Sequence, residues 1–466
     1  MAIQYLTTEA AVNAIYVAKH VYQRGQNDWV VYTGNDIPAS LPAADSNLDA
    51  NKEYAPLLLQ QEERKAKGGE IGVGDVGVVA FRFDDYQDSM RDVVFPLLQS
   101  RGIPASHALL SEFQALSYGS GVSWADIKTM VANGIEIWSH GKVHKDYLGP
   151  DGLREEIVTS KELIEAQGIK VQGFSLPGVT SLYSAAIRGN ATPYNGLNNI
   201  SLYNSAEGNL LMRTYAQSEA YCGGAFRSIP NGIYHGTDHV TVDQKTLVEL
   251  KSLVDEAIAY KMALRFMCHP GNLDRSGGYL TVADFTSLLD YCVTAWDAGT
   301  LEIVTPSALA FLSKSAYRTD LLRAGNLAGV SLAAPLGWLN IDDGVANTVY
   351  QTGGPSNGPY LSVATTGPTQ RPARLANRKI GGEVFLFEGW IKSLGASTTI
   401  ATITITDYPA TSALSITKTY AGVGNATWQR VRIPFSIPVG ADSISIAPGR
   451  SSGDASGWAN MSVKKI

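Results

Sequence analysis

The chain has 466 residues, of which 45% are hydrophobic and 17% charged, and its formal net charge is −6. No segment is rich in Lys and Arg with interleaved aromatic residues, so we expect no nucleic-acid partner. No run approaches the ~20 apolar residues that cross a bilayer, so we expect no membrane partner. The length exceeds one ordinary hydrophobic core and predicts two or three domains.

Residues 1–75 are predicted to form an attachment or linker segment. Residues 8–24 predict a short amphipathic helix that stops at Gly25, because apolar side chains recur on one face at Ala11, Ile15, Ala18 and Tyr22. The rest of this segment mixes Pro, Asp, Asn and Gly without a sustained period. The first residues lack the basic start and apolar core of a secretory signal, so we expect none.

Residues 76–315 alternate apolar strands with amphipathic helices. The candidate strands are GVVAFRF, PASHALL, IEIWSH, KVQGFSL, ALRFMCH and LEIVTP, and helical patterns such as SWADIKTMVANG lie between them. Repeated βα units predict a parallel sheet with helices outside, and about seven of them can close into a barrel. The interval 180–240 is rich in Gly, Asn, Tyr and Ser and is predicted to form long loops.

Residues 316–466 have the pattern of an all-β domain. Segments such as TTIATITITDY alternate apolar and polar residues, and clusters of Pro, Gly and Asn separate them, which predicts a β-sandwich. Half of the chain's eight Trp residues lie here and are expected in its core: Trp338, Trp390, Trp428 and Trp458. The chain has three Cys residues, an odd number that implies no disulfide framework: Cys222, Cys268 and Cys292.

The strand GVVAFRF ends in two adjacent carboxylates, Asp84 and Asp85. Two ionised neighbours repel each other, so the pair indicates a cation nearby. Other candidate strands also end in polar or turn residues, namely His140, the pair Pro177 and Gly178, and His269. In a parallel barrel the C-terminal ends of the strands meet at one mouth, so we expect these residues to converge.

A metal is the predicted cation. His144 lies four residues after His140, close enough for one turn to direct both imidazoles at a common point. Two His residues and one carboxylate with an open fourth position suit catalytic Zn²⁺. His235 and His239 are also four residues apart, but no candidate strand leads into them, so they form a weaker rival ligand pair.

The middle region resembles a polysaccharide deacetylase of the NodB-homology type, carbohydrate esterase family 4. That family has a distorted (β/α)7-type barrel and removes acetyl groups from N-acetylated sugars. Its T-F-D-D-G motif is matched at its centre, while Arg82 and Tyr86 replace the outer residues. Its H-[ST]-x-x-H motif is matched by the two histidines of SHGKVH, with Gly141 at the hydroxyl position.

The resemblance assigns a role to each matched residue. Asp84 would be the general base, and His269, in FMCHP, would be the general acid of the family's L-x-H motif. The metal ligands would be Asp85, His140 and His144. Of the R-x-P-Y motif only Pro177 is kept, and Gly178 would donate a backbone N–H to the oxyanion. The family's D-W motif, which tunes the acid, has no evident match.

Two arginines are candidates for the charge that the family takes from the missing Arg of R-x-P-Y. Side chains alternate along a strand, so Arg82 shares a face with Asp84, and Arg265 shares a face with His269. An inward Arg needs a partner, and we expect Asp84 or Glu136. Together with Pro177, both arginines are predicted to line the substrate site.

These features predict a metal-dependent hydrolase, with Zn²⁺ or another divalent metal, that removes acetyl groups from an N- or O-acetylated polysaccharide or a peptidoglycan-type glycan. The sandwich is expected to resemble a carbohydrate-binding module. The layout resembles some bacteriophage tail proteins, which implies an extracellular or virion-associated location. It also implies a homo-oligomer or a virion partner through the N-terminal segment.

Two other functions fit part of the sequence. A catalytically impaired barrel could serve glycan binding and adhesion, which the missing motif residues favour, but binding alone would not require Asp84 and His269. An amidohydrolase acting on a small cyclic amide or ureide is the second alternative. The appended sandwich argues against it, because such modules usually serve polymers.

Overall fold

A computed structural model of the chain describes residues 3–7, 20–25, 28–32, 59–60, 63–64, 66–67, 69–116, 121–144, 154–177, 206–222, 224–230, 234–316, 338–339, 347–350, 352–363, 369–370, 381–395, 399–408, 415–421, 427–441, 443–449 and 455–466. Over these ranges, no helix is both long enough and apolar enough to cross a membrane.

Three short strands near the N-terminus form an antiparallel sheet. They are β1 (Ile3–Thr7), β2 (His20–Gly25) and β3 (Asp28–Tyr32), in the order β1-β3-β2. The helix predicted over residues 8–24 is wrong for residues 20–24, because the pairing of β2 with β3 overrides the helical spacing of the apolar residues. Residues 8–19 lie outside the described ranges.

The middle of the chain is built on a mainly parallel sheet. Its strands are β4 (Ile71–Gly72), β5 (Gly77–Asp84), β6 (Ala105–Leu109), β7 (Ile135–Ser139), β8 (Val171–Ser175), β9 (Ser218–Cys222), β10 (Phe226–Arg227), β11 (Val240–Thr241), β12 (Ala263–Cys268), β13 (Leu301–Val304) and β14 (Leu312–Ser313). Strand β5 lies at the centre. It pairs with β12 on one side and, on the other, with β13 along its first half and β6 along its last residues.

The sheet curls into the predicted distorted (β/α)7-type barrel. From β5 the order runs through β6, β7 and β8 to β9. Glu219 in β9 then forms a parallel bridge with Thr237, and β11, three residues later, pairs in parallel with β12. The segment 237–241 therefore closes the ring. Residues 180–240 were predicted to be loops, but their described part contains a helix over Ala206–Thr214, β9, β10 and the first residue of β11. Tertiary pairing specifies strands that are too short to show a period.

Helices pack outside the barrel and alternate with its strands. They are α1 (Gln87–Ser89), α2 (Phe95–Arg101), α3 (Trp124–Ala132), α4 (Ser160–Glu165), α5 (Ala206–Thr214), α6 (Leu247–Tyr260) and α7 (Val282–Asp297). Two π-helical turns lead into α2 and α4: Met90–Val94 and Glu155–Thr159. Shorter 3-10 turns occupy Phe113–Ala115, Pro270–Asn272, Pro306–Phe311 and Pro355–Asn357. Capping boxes begin α3 at Ser123 and α6 at Thr246.

The C-terminal part is the predicted β-sandwich. Its strands are β15 (Trp338–Leu339), β16 (Asn347–Tyr350), β17 (Tyr360–Val363), β18 (Thr369–Gln370), β19 (Val384–Ser393), β20 (Thr399–Tyr408), β21 (Ser415–Ala421), β22 (Gln429–Ser436), β23 (Ser443–Gly449) and β24 (Ser456–Lys465). They form two antiparallel sheets, β15-β18-β23-β20-β21 and β16-β17-β24-β19-β22. Trp458 is fully buried in the core, whereas Trp390 and Trp428 are partly exposed.

A buried cluster of charges joins the barrel to the sandwich. Glu383, which is fully buried, pairs with Lys67 at 2.7 Å, Lys170 at 2.5 Å and Lys465 at 3.2 Å. Burial alone would raise the pKa of Glu383, but the three ammonium groups hold it well below its usual range. Lys67 and β4 both precede residue 76 and pack on the barrel, while the boundaries at residues 75 and 315 stay predictions.

The cluster yields a stability prediction. Glu383→Gln leaves the buried ammonium groups of Lys67 and Lys465, and the partly buried one of Lys170, without their shared carboxylate. We therefore expect it to destabilise the protein by about 3 kcal/mol, measured by chemical denaturation followed by circular dichroism. The control is Glu256→Gln on the exposed face of α6, which should change stability by less than about 0.5 kcal/mol. Equal stability of the two variants would contradict a structural role for the cluster.

Candidate active site and metal centre

The predicted convergence of strand ends is present in the structure. Asp84 is the last residue of β5, His140 follows β7, Ser175 ends β8 and His269 follows β12. These strands run parallel in one sheet, in which β6 lies between β5 and β7, so their C-terminal ends open on one side. The chemistry-bearing side chains therefore share one mouth.

Asp85, His140 and His144 form a compact group at this mouth. Their ligand atoms all lie within 4.8 Å of one another. His140 Nε2 is 3.8 Å from Asp85 Oδ1, and His144 Nε2 is 3.5 Å from Asp85 Oδ2. Asp85 and His144 both have left-handed backbone conformations, with φ of 61° and 56°. Such strain is uncommon for non-glycine residues and often marks functional sites.

The donor set fits a divalent metal of the Zn²⁺ type. His140 Nδ1 donates a hydrogen bond to the backbone oxygen of Ser175 at 2.9 Å, which leaves Nε2 facing Asp85. Burial lowers the pKa of His140 despite the charges of Asp85 and Asp84, which favours the neutral, ligating form. Asp85 Oδ1 is buried and has no hydrogen-bond partner among the described residues. One carboxylate and two imidazoles is a common catalytic zinc set.

Gly141, which stands where the family has a hydroxyl residue, is required by the local geometry. Its φ is +88°, and a Cβ at this position would collide with Glu156 Oε2. The same Glu156 oxygen accepts a hydrogen bond from the Lys142 backbone N–H at 2.7 Å. Glu156 thus fixes the turn that connects the two histidines.

Asp84 is paired with Arg82. The Arg82 Nε and Nη2 atoms each donate to one Asp84 oxygen at 2.8 Å, and both side chains are almost fully buried. Ser175 Oγ donates to Asp84 Oδ2 at 3.3 Å. Burial would raise the pKa of Asp84, but Arg82, followed by His140 and His269, holds it well below its usual range. The carboxylate is therefore ionised.

His269 is held by a carboxylate that the sequence did not reveal. Its Nδ1 donates to Asp243 Oδ2 at 2.7 Å, and its backbone N–H donates to Asp243 Oδ1 at 3.0 Å. Asn272 donates to Asp243 Oδ2 at 2.7 Å and completes the arrangement. Burial lowers the pKa of His269, but the hydrogen bond and charge of Asp243, with Asp84 and Asp85, raise it above the ordinary value.

Sequence reasoning missed Asp243 and Glu219, and it considered His239 only as half of a rival ligand pair with His235. Asp243 follows β11, a strand of two residues with no readable period. His239, which was judged a loop residue, is buried and is influenced by the charges of Arg82, Asp84, Arg265 and His269, so it faces the same interior. Burial and the charge of Arg82 hold the pKa of His239 well below the ordinary value. Glu219 pairs with both Arg82 and Arg265.

The remaining predicted site residues differ in their surroundings. Arg82 and Arg265 are buried and paired inside the barrel, not exposed on its open face. Glu136, an expected partner, instead accepts hydrogen bonds from Trp138 Nε1 at 2.8 Å and Ser307 Oγ at 2.5 Å. Pro177 follows β8 and is buried, and Gly178 lies outside the described residues.

The comparisons with known proteins support the resemblance to a polysaccharide deacetylase. Residues 72–192 match the family model for polysaccharide deacetylase, which confirms the resemblance inferred from the motifs. A search of the curated proteins finds no match.

Three solved structures show limited similarity. A family 4 carbohydrate esterase from Streptomyces lividans in complex with acetate is 13% identical over 51% of this chain and 96% of that one, with a TM-score of 0.31. The Xyl-CE4 domain of a multidomain xylanase from the hindgut metagenome of Trinervitermes trinervoides is 16% identical over 50% and 89%, with a TM-score of 0.30.

The third is the CBM22-1-GH10 module pair of Clostridium thermocellum xylanase 10B complexed with xylohexaose, 13% identical over 28% of this chain, with a TM-score of 0.23. This chain spans about a quarter, 26%, of that protein. All three TM-scores lie below 0.5.

Metal content tests the proposed ligands. Purified protein is expected to hold about one divalent metal per chain, most readily Zn²⁺, and His144→Ala should remove it because two ligands hold zinc poorly. Elemental analysis of both proteins after dialysis gives the measurement. The control is His235→Ala, from the rival pair, which should keep the metal. If this variant alone lost the metal, the ligands would be His235 and its neighbours instead of His140 and His144.

Proposed function

We propose that the barrel is a metal-dependent hydrolase that removes acetyl groups from an N- or O-acetylated polysaccharide or a peptidoglycan-type glycan. The observation that carries the proposal is the arrangement of three unlike groups around one mouth. An ionised carboxylate, Asp84, lies beside the ligand set of Asp85, His140 and His144, and a histidine with its own carboxylate, His269, completes the group. Binding alone would need only the ligand set.

A divalent metal held by Asp85, His140 and His144 would polarise the acetyl carbonyl and lower the pKa of a water molecule. The protein must still take up and return protons. Asp84 is suited to the first task, because its paired, ionised carboxylate lies on the residue next to a ligand. It would accept the proton of the attacking water.

His269 is suited to the second task. The amine or alcohol that leaves when the acetyl group is transferred to water must gain a proton. Asp243 holds the imidazole by Nδ1 and raises its pKa, so Nε2–H is the proton available for donation. Asp84 and His269 thus divide the roles of base and acid.

The developing oxyanion needs hydrogen-bond donors. We assign one of them to the backbone N–H of Gly178, which follows the buried Pro177 at the end of β8. Arg82 and Arg265 are assigned to the support of the catalytic carboxylate instead of direct contact with the glycan, because both are buried and paired.

The setting of the enzyme is part of the proposal. The sandwich would bind glycan weakly, with Trp428 as its partly exposed aromatic residue beside Tyr360, whose ring centroid is 5.6 Å away. An extracellular or virion-associated location, and assembly with itself or a virion through the N-terminal segment, fit an enzyme that acts on surface polymers.

Acetate release decides between catalysis and the alternative of a catalytically impaired glycan-binding protein. Wild-type protein should release acetate from at least one member of a panel of N- and O-acetylated glycans, and chelation should stop it. Asp84→Asn should reduce kcat by at least about 100-fold and keep the metal, because it removes only the proton acceptor.

The matched control for this experiment is Asp92→Asn, an exposed carboxylate in the same βα unit, which should keep wild-type activity. Glycan binding by wild-type protein with no acetate release from any glycan would favour the adhesion alternative. Loss of metal from Asp84→Asn would exchange the roles of the two neighbouring aspartates.

The pH dependence tests the acid. His269 must be protonated to donate, so activity should fall as pH rises through its pKa. Asp243→Asn removes the charge that raises this pKa, and the alkaline limb of kcat should move to lower pH by about 1–2 units. Asp255→Asn on the outer surface of α6 is the control. An unmoved alkaline limb would exclude His269 as the acid.

A further inference from the structure

Four charged side chains form a continuous chain across the interior of the barrel. In order they are Asp84, Arg82, Glu219 and Arg265, contributed by strands β5, β9 and β12. Their charges alternate in sign, and no member is more than 4% exposed. A row of this kind is costly to bury unless every charge is paired.

Arg82 is the link between the two halves of the row. Its Nε and Nη2 atoms face Asp84, and its Nη1 pairs with Glu219 Oε2. All three nitrogens of the planar guanidinium are therefore engaged by carboxylates. Because the guanidinium is rigid, a change in its contact with Glu219 alters the orientation of Nε and Nη2 relative to the Asp84 carboxylate.

Glu219 is in turn fixed by Arg265. Its Oε1 lies 2.9 Å from Arg265 Nη1. The Arg265 guanidinium is anchored by donation to Thr237 Oγ1 at 2.6 Å and to the backbone oxygen of Pro306 at 3.2 Å. Thr237 belongs to the segment that closes the barrel, so the far end of the row is tied to the frame of the fold.

The balance of charge makes Glu219 and Arg265 depend on each other. Burial, and then the charge of Arg82, lower the pKa of Arg265, so two buried guanidinium groups need the carboxylate between them. Without Arg265, Glu219 would have Arg82 as its only cationic partner among the described residues and would compete with Asp84 for it. Removing both Glu219 and Arg265 leaves Arg82 and Asp84 as a neutral pair.

We propose that Glu219 and Arg265 are positioning residues that keep the Arg82 guanidinium hydrogen-bonded to the catalytic carboxylate of Asp84. The proposal rests on the proposed function for its kinetic effect, but the position of Arg82 can be measured without turnover. Neither residue belongs to the ligand set of Asp85, His140 and His144, so metal content should not change.

The test compares Glu219→Gln, Arg265→Met, the double variant and Arg265→Lys with wild type. Glu219→Gln and Arg265→Met should each lower kcat by about 10–100-fold, the size of effect typical of supporting interactions at metal sites. KM should change little and metal content should stay full. The double variant restores neutrality and should recover most of kcat. Arg265→Lys keeps the charge and should lose less than Arg265→Met. Glu256→Gln serves as the control.

The second readout is the Arg82 Nε–H signal in protein labelled with ¹⁵N-arginine, assigned by its loss in Arg82→Lys. In wild type this hydrogen is bonded to Asp84 and should exchange slowly with water. We expect exchange at least about tenfold faster in each single variant and slower exchange again in the double variant. This measurement stands even if no glycan releases acetate, in which case the proposed function fails alone.

The outcomes separate positioning from general structural support. If the two single losses simply add in the double variant, or if every variant is less stable but keeps wild-type kcat and Nε–H exchange, the proposal is overturned. If Glu219→Gln does not fold, Arg265→Met and Arg265→Lys decide by the same two readouts.

Discussion

The site depends on the separation of two adjacent carboxylates at the end of one strand. Asp84 and Asp85 would repel each other if they shared a direction and a partner. The left-handed turn at Asp85 divides them: Asp84 takes the guanidinium of Arg82, while Asp85 faces two imidazoles. Each then has a cationic or ligating environment of its own, so one can serve as base and the other as ligand.

The residues around Asp84 balance its charge in the buried interior of the barrel. An ionised carboxylate can be buried only with a well-placed partner. The family position that would supply an arginine holds Ser175, which gives Asp84 one long hydrogen bond of 3.3 Å. Arg82, two residues before Asp84 on the same strand, provides the charge instead, and its own burial requires Glu219. Arg82 is balanced by Glu219 and Glu219 by Arg265, which gives a row of four alternating charges.

The sequence predicted the parts of this structure whose signal is local. Strands β5, β6, β7, β8 and β12 are long and apolar enough to be read directly, and Asp85, His140 and His144, which were expected to converge, lie together. The pairing of Arg82 with Asp84 followed from the alternation of side chains along β5.

The missed residues lie where only tertiary contacts specify the structure. Asp243 and His239 flank β11, whose two residues are held by pairing with β12. Glu219 lies in β9, within an interval whose Gly and Asn content resembles loops. The N-terminal strand β2 contains Tyr22, the last of the four apolar residues at helical spacing, but it pairs with β3. In each case pairing with another strand, and not the local pattern, decides the outcome.

The position of the sandwich limits what it can contribute to catalysis. Close approaches join it to the barrel at Gly102 with Arg432, at Gly134 with Pro434 and at Lys170 with Gly382. These barrel residues directly precede β6, β7 and β8, so the sandwich docks at the N-terminal ends of the strands, opposite the mouth. A cavity of about 470 Å³ at this junction is likewise remote from the ligand set. Because the described part of the sandwich contacts the end of the barrel opposite the mouth, a glycan bound to it would be held away from the proposed active site. Such binding would raise the local concentration of a long polymer without shaping that site.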